Sequence, residues 1–147
     1  MGPREITIDA PPESVWEVLA DAHSYDEWVV GTRRIRRADA AWPAVGSRLH
    51  HTVGIGPLTL RDSSEVLESD PPRRLVLRAN VRPIGVLRVE IDLKPVGDRG
   101  THLTLQEYVE GGPLRLAGPL GDAGAQGRME LGVRRLKDLV EARAATA

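Results

Sequence analysis

The chain has 147 residues, 41% hydrophobic and 28% charged, which suits a single globular domain with a core of its own. Its 20 basic and 21 acidic residues give a net charge of −1, so the composition favours neither nucleic acid nor an anionic membrane as a partner. Cysteine is absent, which excludes disulfides, thiol catalysis and cysteine-ligated metals. No apolar run approaches the roughly 20 residues of a membrane span and no signal peptide is visible. We therefore expect one domain over residues 1–147, in the cytoplasm.

The first elements in chain order are a strand and two short helices. Residues 5–9 alternate apolar and polar side chains, which predicts a half-buried strand. Pro11, Pro12 and Glu13 are typical of a helix start, because proline lacks the N–H that would be unpaired there and glutamate favours the positive end of the helix dipole. A second short helix is predicted over residues 22–29.

The middle of the chain is predicted to be a sheet and the end a helix. Apolar residues recur with a period of two, which indicates strands near 33–38, 47–54, 58–68, 74–82, 85–94 and 102–109. Short Gly- and Pro-containing separators favour hairpins and hence an antiparallel meander. Residues 122–143 then form an amphipathic helix with an apolar stripe of Met129, Val133, Leu136 and Val140. The predicted fold is α+β, a curved antiparallel sheet of six or seven strands wrapped around this helix.

Several stretches resemble the START-like (SRPBCC) superfamily, the polyketide cyclase/dehydrase and lipid-transport proteins with the helix-grip fold. They are ITIDAPPESVWEVLAD over residues 6–21, Tyr25-x-x-Trp28, residues 69–75 and 100–105, and the closing helix at 132–141. The resemblance covers nearly the whole chain in the right order. It implies a cavity between sheet and helix for a small hydrophobic molecule, such as a lipid, a polyketide or an aromatic metabolite. It also implies that Trp28 lines the mouth of that cavity.

The side chains that face the cavity are predicted by centring each hairpin on its turn, since a slip of one residue moves every side chain to the other face. This places His51 opposite Leu60, Leu49 opposite Asp62, Ser64 opposite Arg78, Arg78 opposite Val89 and Val89 opposite Glu107. The predicted cavity face carries Leu87, Val89, Ile91, Leu93, Leu103 and Leu105, with Ser64, Arg78 and Glu107 as a thin polar belt. Ligand cavities commonly have this mixture. Arg78 and Glu107 either pair across Val89 or are solvated at the rim.

Candidate chemistry centres on His51, which is expected to lie near Asp62. A His–Asp couple can act as a general base, whereas the alternatives without catalysis are a partly buried histidine satisfied by a carboxylate and an exposed histidine. Adjacent His50 and His51 point to opposite faces of a strand, so no metal site is predicted. No phosphate loop or nucleophile elbow is present, and no cofactor is predicted. The arginine-rich run over 33–37 is expected to alternate faces and form a solvated edge.

The predicted ligand-binding residues are Trp28, His51, Asp62, Ser64, Arg78, Val89, Glu107, Met129 and Val133, and no residue is assigned as catalytic. A carrier or binding protein for a small hydrophobic ligand is the function we expect. The alternative is a polyketide-type cyclase or dehydrase that acts through His51, Asp62, Arg78 or Glu107. A structural or interaction module whose cavity holds nothing also stays open, as does a homodimer.

Overall fold

A computed structural model of the chain describes residues 2–116 and 118–146, and it contains the predicted succession of elements. The strands are β1 (Arg4–Ile8), β2 (Thr32–Ala38), β3 (Arg48–Ile55), β4 (Leu58–Asp70), β5 (Arg74–Val81), β6 (Gly85–Val96) and β7 (Gly100–Gly111). The α-helices are α1 (Pro12–Ala20), α2 (Tyr25–Trp28) and α3 (Gly118–Thr146), with 3-10 turns at Ala22–Ser24 and Pro113–Leu116. No helix in these two ranges is long and apolar enough to cross a membrane.

The strands form one antiparallel sheet in the spatial order β1-β7-β6-β5-β4-β3-β2. Hairpins connect β2 through β7 in sequence, and β1 joins the far edge by pairing with β7. Helix α3 covers one face of this sheet and buries Leu136 and Val140 almost completely. The predicted α+β helix-grip architecture is therefore confirmed.

Helix α3 begins at Gly118 rather than at the predicted residue 122. The glycines before residue 128 have weak helix propensity, which is why the pattern predicted a later start. The helix nevertheless runs through Gly124 and Ala125, which line the cavity, to Arg128, which bonds to the sheet. Gly132 serves close packing, since a Cβ there would lie 3.3 Å from the Trp28 carbonyl oxygen.

The predicted register of the β3–β4 hairpin is wrong by two residues. Leu49 lies opposite Ser64 and His51 opposite Asp62, because a two-residue turn joins Ile55 to Leu58. An even shift leaves each side chain on its predicted face. His51 and Ser64 therefore still face inward.

The predicted position of Arg78 on the cavity face is also wrong. The register shifts between Val66 and Glu68, so one residue of β4 is unpaired and Ser64 lies opposite Ala79. The β5–β6 loop has its closing pair at Val81 and Gly85, which puts Leu77 rather than Arg78 opposite Val89. Arg78 therefore lies on the outer face, and Leu75, Leu77 and Ala79 point inward. The β6–β7 register is confirmed, with Val89 opposite Glu107 and Ile91 opposite Leu105.

The arginine-rich run on β2 does not alternate faces as a regular strand would. Register shifts after Thr32 and Ile35 place Arg34 opposite Thr52 and Arg37 opposite His50. Thr52 and His50 share the outer face, so Arg34 and Arg37 do as well, although they are three residues apart. Both arginines are exposed.

Candidate ligand cavity

A cavity of about 890 Å³ lies between the concave face of the sheet and the helices α2 and α3. Small-molecule pockets commonly measure about 300–1,000 Å³. Most of the wall is apolar, and the sheet contributes Leu49, Leu77, Ala79, Leu87, Val89 and Leu105. The α2 region contributes Tyr25 and Trp28, and α3 contributes Gly124, Ala125 and Arg128. The cavity is therefore mostly apolar and within the size range of small-molecule pockets.

The structure brings part of the predicted site together at this cavity. Trp28, His51, Ser64, Val89 and Glu107 line it. Asp62 does not, because its carboxylate is bound by Arg82 and Ser63. Arg78 does not either, because its side chain lies on the outer face with its Nε 3.4 Å from Glu110 Oε1. Met129 and Val133 do not line it either and are buried in the core. Helix α3 begins earlier than predicted, and it is this earlier part, with Gly124, Ala125 and Arg128, that lines the cavity.

Two aromatic side chains of the cavity wall, Tyr25 and Trp28, pack in a cluster with Trp42 behind them. The Tyr25 hydroxyl donates to the Leu19 carbonyl oxygen at 2.7 Å, and Trp42 Nε1 donates to the same oxygen at 3.2 Å. The rings of Tyr25 and Trp28 pack with their centroids 4.9 Å apart. Burial raises the pKa of Tyr25 far above its usual range, with a smaller contribution from Asp21, so the phenol keeps its proton. Trp28 Nε1 is buried and has no hydrogen-bond partner among the described residues.

In place of the predicted polar belt, the cavity wall contains an ion pair between Glu107 on β7 and Arg128 on α3. Arg128 Nη2 donates to Glu107 Oε1 at 2.6 Å and Arg128 Nη1 donates to Glu107 Oε2 at 3.2 Å. Glu107 is only 7% exposed, so it needs a cation nearby. Of the two alternatives predicted for Arg78 and Glu107, the pair across Val89 is wrong, because Arg78 lies beside Glu110 on the outer face. A search for a cation beside the helix stripe could have found Arg128, which directly precedes Met129.

His51 is the most unusual polar residue of the cavity. It is 5% exposed, and neither Nδ1 nor Nε2 has a hydrogen-bond partner in the part of the chain that the structure describes. Asp62 lies opposite it in the register, but the carboxylate is bound elsewhere. Asp62 Oδ1 accepts from the Ser63 N–H and from Arg82 Nη2, and Oδ2 accepts from the Arg82 N–H and Nε. The expected His51–Asp62 hydrogen bond is therefore not formed.

Comparison with known proteins identifies the family. Residues 4–141 match the family described as polyketide cyclase / dehydrase and lipid transport. The chain belongs to this family. No curated protein matches its sequence.

Solved structures share the fold of this polyketide cyclase/dehydrase family member. The Zhui aromatase/cyclase from Streptomyces sp. R1128 superposes with a TM-score of 0.77 at 18% identity, covering 97% of this chain and 94% of that one. The protein of unknown function SA2116 from Staphylococcus aureus has a TM-score of 0.74 at 11% identity, covering 98% and 96%. The di-domain aromatase/cyclase StfQ of the steffimycin biosynthetic pathway has a TM-score of 0.70 at 11% identity, covering 98% of this chain and 51% of that one. At these identities the likeness shows the fold alone.

The surroundings of His51 in this family member favour its neutral form. Burial lowers the pKa of His51 below its usual 6.5, and the charges of Arg36 and His50 lower it further. Asp62 and the Ser63 backbone favour the charged form, but less strongly. Burial raises the pKa of Asp62, yet the hydrogen bonds from Arg82 and Ser63 outweigh burial and hold it below its usual value. Among the described residues there is no group of three or more side chains that could hold a metal ion.

We expect the stability of the protein to fall as the pH decreases below about 6.5, the usual pKa of histidine. The unfolded chain binds a proton at His51 in that range while the folded chain does not, so the free energy of unfolding rises with pH. The loss of stability should stop at pH values below the pKa of His51 in the folded protein, where the folded and the unfolded chain are both protonated at this residue. Burial also lowers the pKa of His50, so this residue should likewise make the protein less stable as the pH falls.

Urea unfolding of the wild type and of His51→Gln between pH 7.5 and 5 measures this effect. The variant should show a flatter pH dependence over this range. Equal slopes for the two proteins would show that His51 does not titrate as a buried neutral group.

Proposed function

We propose that the protein binds a small hydrophobic molecule in the 890 Å³ cavity and acts as a carrier or binding protein. The apolar wall of this cavity is the observation that carries the proposal, because apolar surface of this extent gains free energy when a ligand displaces its water. Lipid transport in the family description supports the same function.

The ion pair in the cavity wall is compatible with an apolar ligand. Glu107 and Arg128 neutralise each other across two hydrogen bonds, so neither requires a charged ligand group. Asp62, which lies opposite the lining residue His51, is likewise held by Arg82. Among the other polar side chains of the lining, Ser64 and Trp28 are uncharged, the neutral form of His51 is favoured, and the exposed Arg115 carries a positive charge.

Native mass spectrometry of the purified protein tests the proposal. We expect a fraction of the protein to carry a bound small molecule, which organic extraction should release as an apolar compound. A protein of bare mass that also fails to bind any hydrophobic probe would contradict the proposal.

His51 favours one alternative, a polyketide-type cyclase or dehydrase. A neutral, unpartnered imidazole facing the cavity can remove a proton from a bound ligand as a general base. The enzymes Zhui and StfQ, which share the fold, are aromatase/cyclases by name.

Incubation with a poly-β-ketone thioester, followed by mass spectrometry of the products, distinguishes the two functions. A catalyst should yield cyclised, dehydrated product, and His51→Leu should abolish turnover while binding persists. Binding without turnover in the wild type would support the carrier function and contradict the enzymatic one.

A further inference from the structure

Two buried ring N–H groups of the cavity wall lack hydrogen-bond partners. The Trp28 indole and the His51 imidazole are 4% and 5% exposed, and both contribute to the wall. Trp28 Nε1 and both His51 nitrogens are without a partner among the described residues. Buried polar groups in proteins are normally hydrogen-bonded, so such groups in a cavity wall call for an explanation.

No described neighbour of His51 meets its ring nitrogens in hydrogen-bond geometry, although the Ser63 backbone lies near enough to favour the charged ring. The Asp62 carboxylate opposite it is engaged by Arg82 and Ser63. Arg36 Nη2 donates to the His51 and Asp62 backbone oxygens rather than to the ring. Ile35, on the other neighbouring strand, is apolar. His51 is one of the residues that line the cavity, so a ligand group in the cavity is the partner left for the ring.

The chemistry of the ring restricts what it can hold. A neutral imidazole presents one N–H donor and one nitrogen acceptor. A hydroxyl group matches it, because a hydroxyl both donates and accepts, and a carbonyl oxygen accepts from the ring N–H or from the indole. A neutral ring offers no charge to offset the dehydration of a carboxylate.

We propose that His51 anchors an uncharged hydroxyl or carbonyl group of an otherwise apolar ligand, with Trp28 Nε1 as a second donor at the same wall. This inference rests on the proposed binding function and adds the class of ligand. The ligand is a hydroxylated or keto-substituted apolar molecule rather than a plain hydrocarbon, and the group that His51 holds is uncharged rather than a carboxylate.

A matched series of pyrenes tests the anchor by fluorescence titration at pH 7.5. The probes are 1-hydroxypyrene, 1-methylpyrene and 1-pyrenecarboxylate, which share one apolar body. The dissociation constant of the methyl probe divided by that of the hydroxyl probe measures the preference for the hydroxyl. We expect this ratio to fall about fivefold to tenfold in His51→Leu, the worth of one neutral hydrogen bond. Binding of the methyl probe should change little.

Two further variants separate the anchor from a general effect on the fold. His51→Gln keeps a donor and an acceptor and should restore part of the preference. His50→Leu changes the adjacent residue, which lies on the outer face, and should leave the ratio unchanged. As a measurement that needs no variant, the ring nitrogen NMR signals of His51 in the wild type should shift with 1-hydroxypyrene and not with 1-methylpyrene.

The outcomes distinguish this inference from the proposed function. Saturable binding of the pyrenes with the same ratio in the wild type and His51→Leu would overturn the anchor and leave the binding function intact. A preference for the carboxylate that depends on His51 would overturn the uncharged ligand class. Failure of all three probes to bind would count against both proposals.

Discussion

Leu136→Ala should reduce the free energy of unfolding by about 2–5 kcal/mol, the range for large-to-small changes in a packed core. Leu136 has no exposed surface, and it lies in the apolar stripe with which α3 covers the sheet. Its removal would leave a void in the core against the sheet, because the surrounding strands cannot close over it freely. Urea unfolding followed by circular dichroism measures the change.

Leu131→Ala is the matched control for this experiment. Leu131 lies on the same helix but is 43% exposed, so its truncation should cost much less. If Leu136→Ala changed the stability by no more than Leu131→Ala, helix α3 would not be packed on the sheet as described.

Arg128→Met should destabilise the protein more than Glu107→Leu, and the double change should recover much of the loss. Arg128→Met leaves the buried Glu107 carboxylate without a cation, whereas Glu107→Leu leaves an arginine whose side chain is 31% exposed and can reach water. Breaking a fully buried pair costs about 3–5 kcal/mol, so we expect about 3 kcal/mol for Arg128→Met and about 1 kcal/mol for Glu107→Leu. Removing both charges together leaves no stranded ion.

A double-mutant cycle in urea measures these terms, with Arg134→Met as the control. Arg134 pairs with Glu130 on the same helix, but its side chain is 68% exposed, so its loss should change stability by less than about 0.5 kcal/mol. Equal, additive effects of the two single changes would mean that Glu107 and Arg128 are not coupled.

The sequence was sufficient for the fold because its patterns are periodic and local. The period of two from β2 to β7, the proline start of α1 and the stripe through Leu136 each predicted an element that the structure contains. The cavity face of β6 and β7 was also predicted, since the register of that hairpin followed from its turn. Hairpin topology then left few ways to arrange the sheet.

The candidate site was predicted less well, because a shift of one residue in strand pairing decides which side chains face the cavity. The bulge after Val66 leaves no compositional signal, yet together with the closing pair of the β5–β6 loop it places Arg78 on the outer face and Ala79 inward. The Glu107–Arg128 pair joins residues 21 apart in sequence on two different elements. The early start of α3 moved the cavity away from Met129 and Val133, because helix propensity alone is a weak guide.

A titration with 1-methylpyrene of two variants on adjacent positions of β5 tests the central claim, that the cavity binds an apolar molecule. Ala79 lines the cavity and Arg78 lies on the outer face, so Ala79→Phe places a bulky ring inside the cavity while Arg78→Phe does not. We expect saturable binding to the wild type and to Arg78→Phe, and at least about tenfold weaker binding to Ala79→Phe, a loss of about 1.4 kcal/mol. Unchanged affinity in Ala79→Phe, at a thermal stability close to that of the wild type, would contradict binding in this cavity.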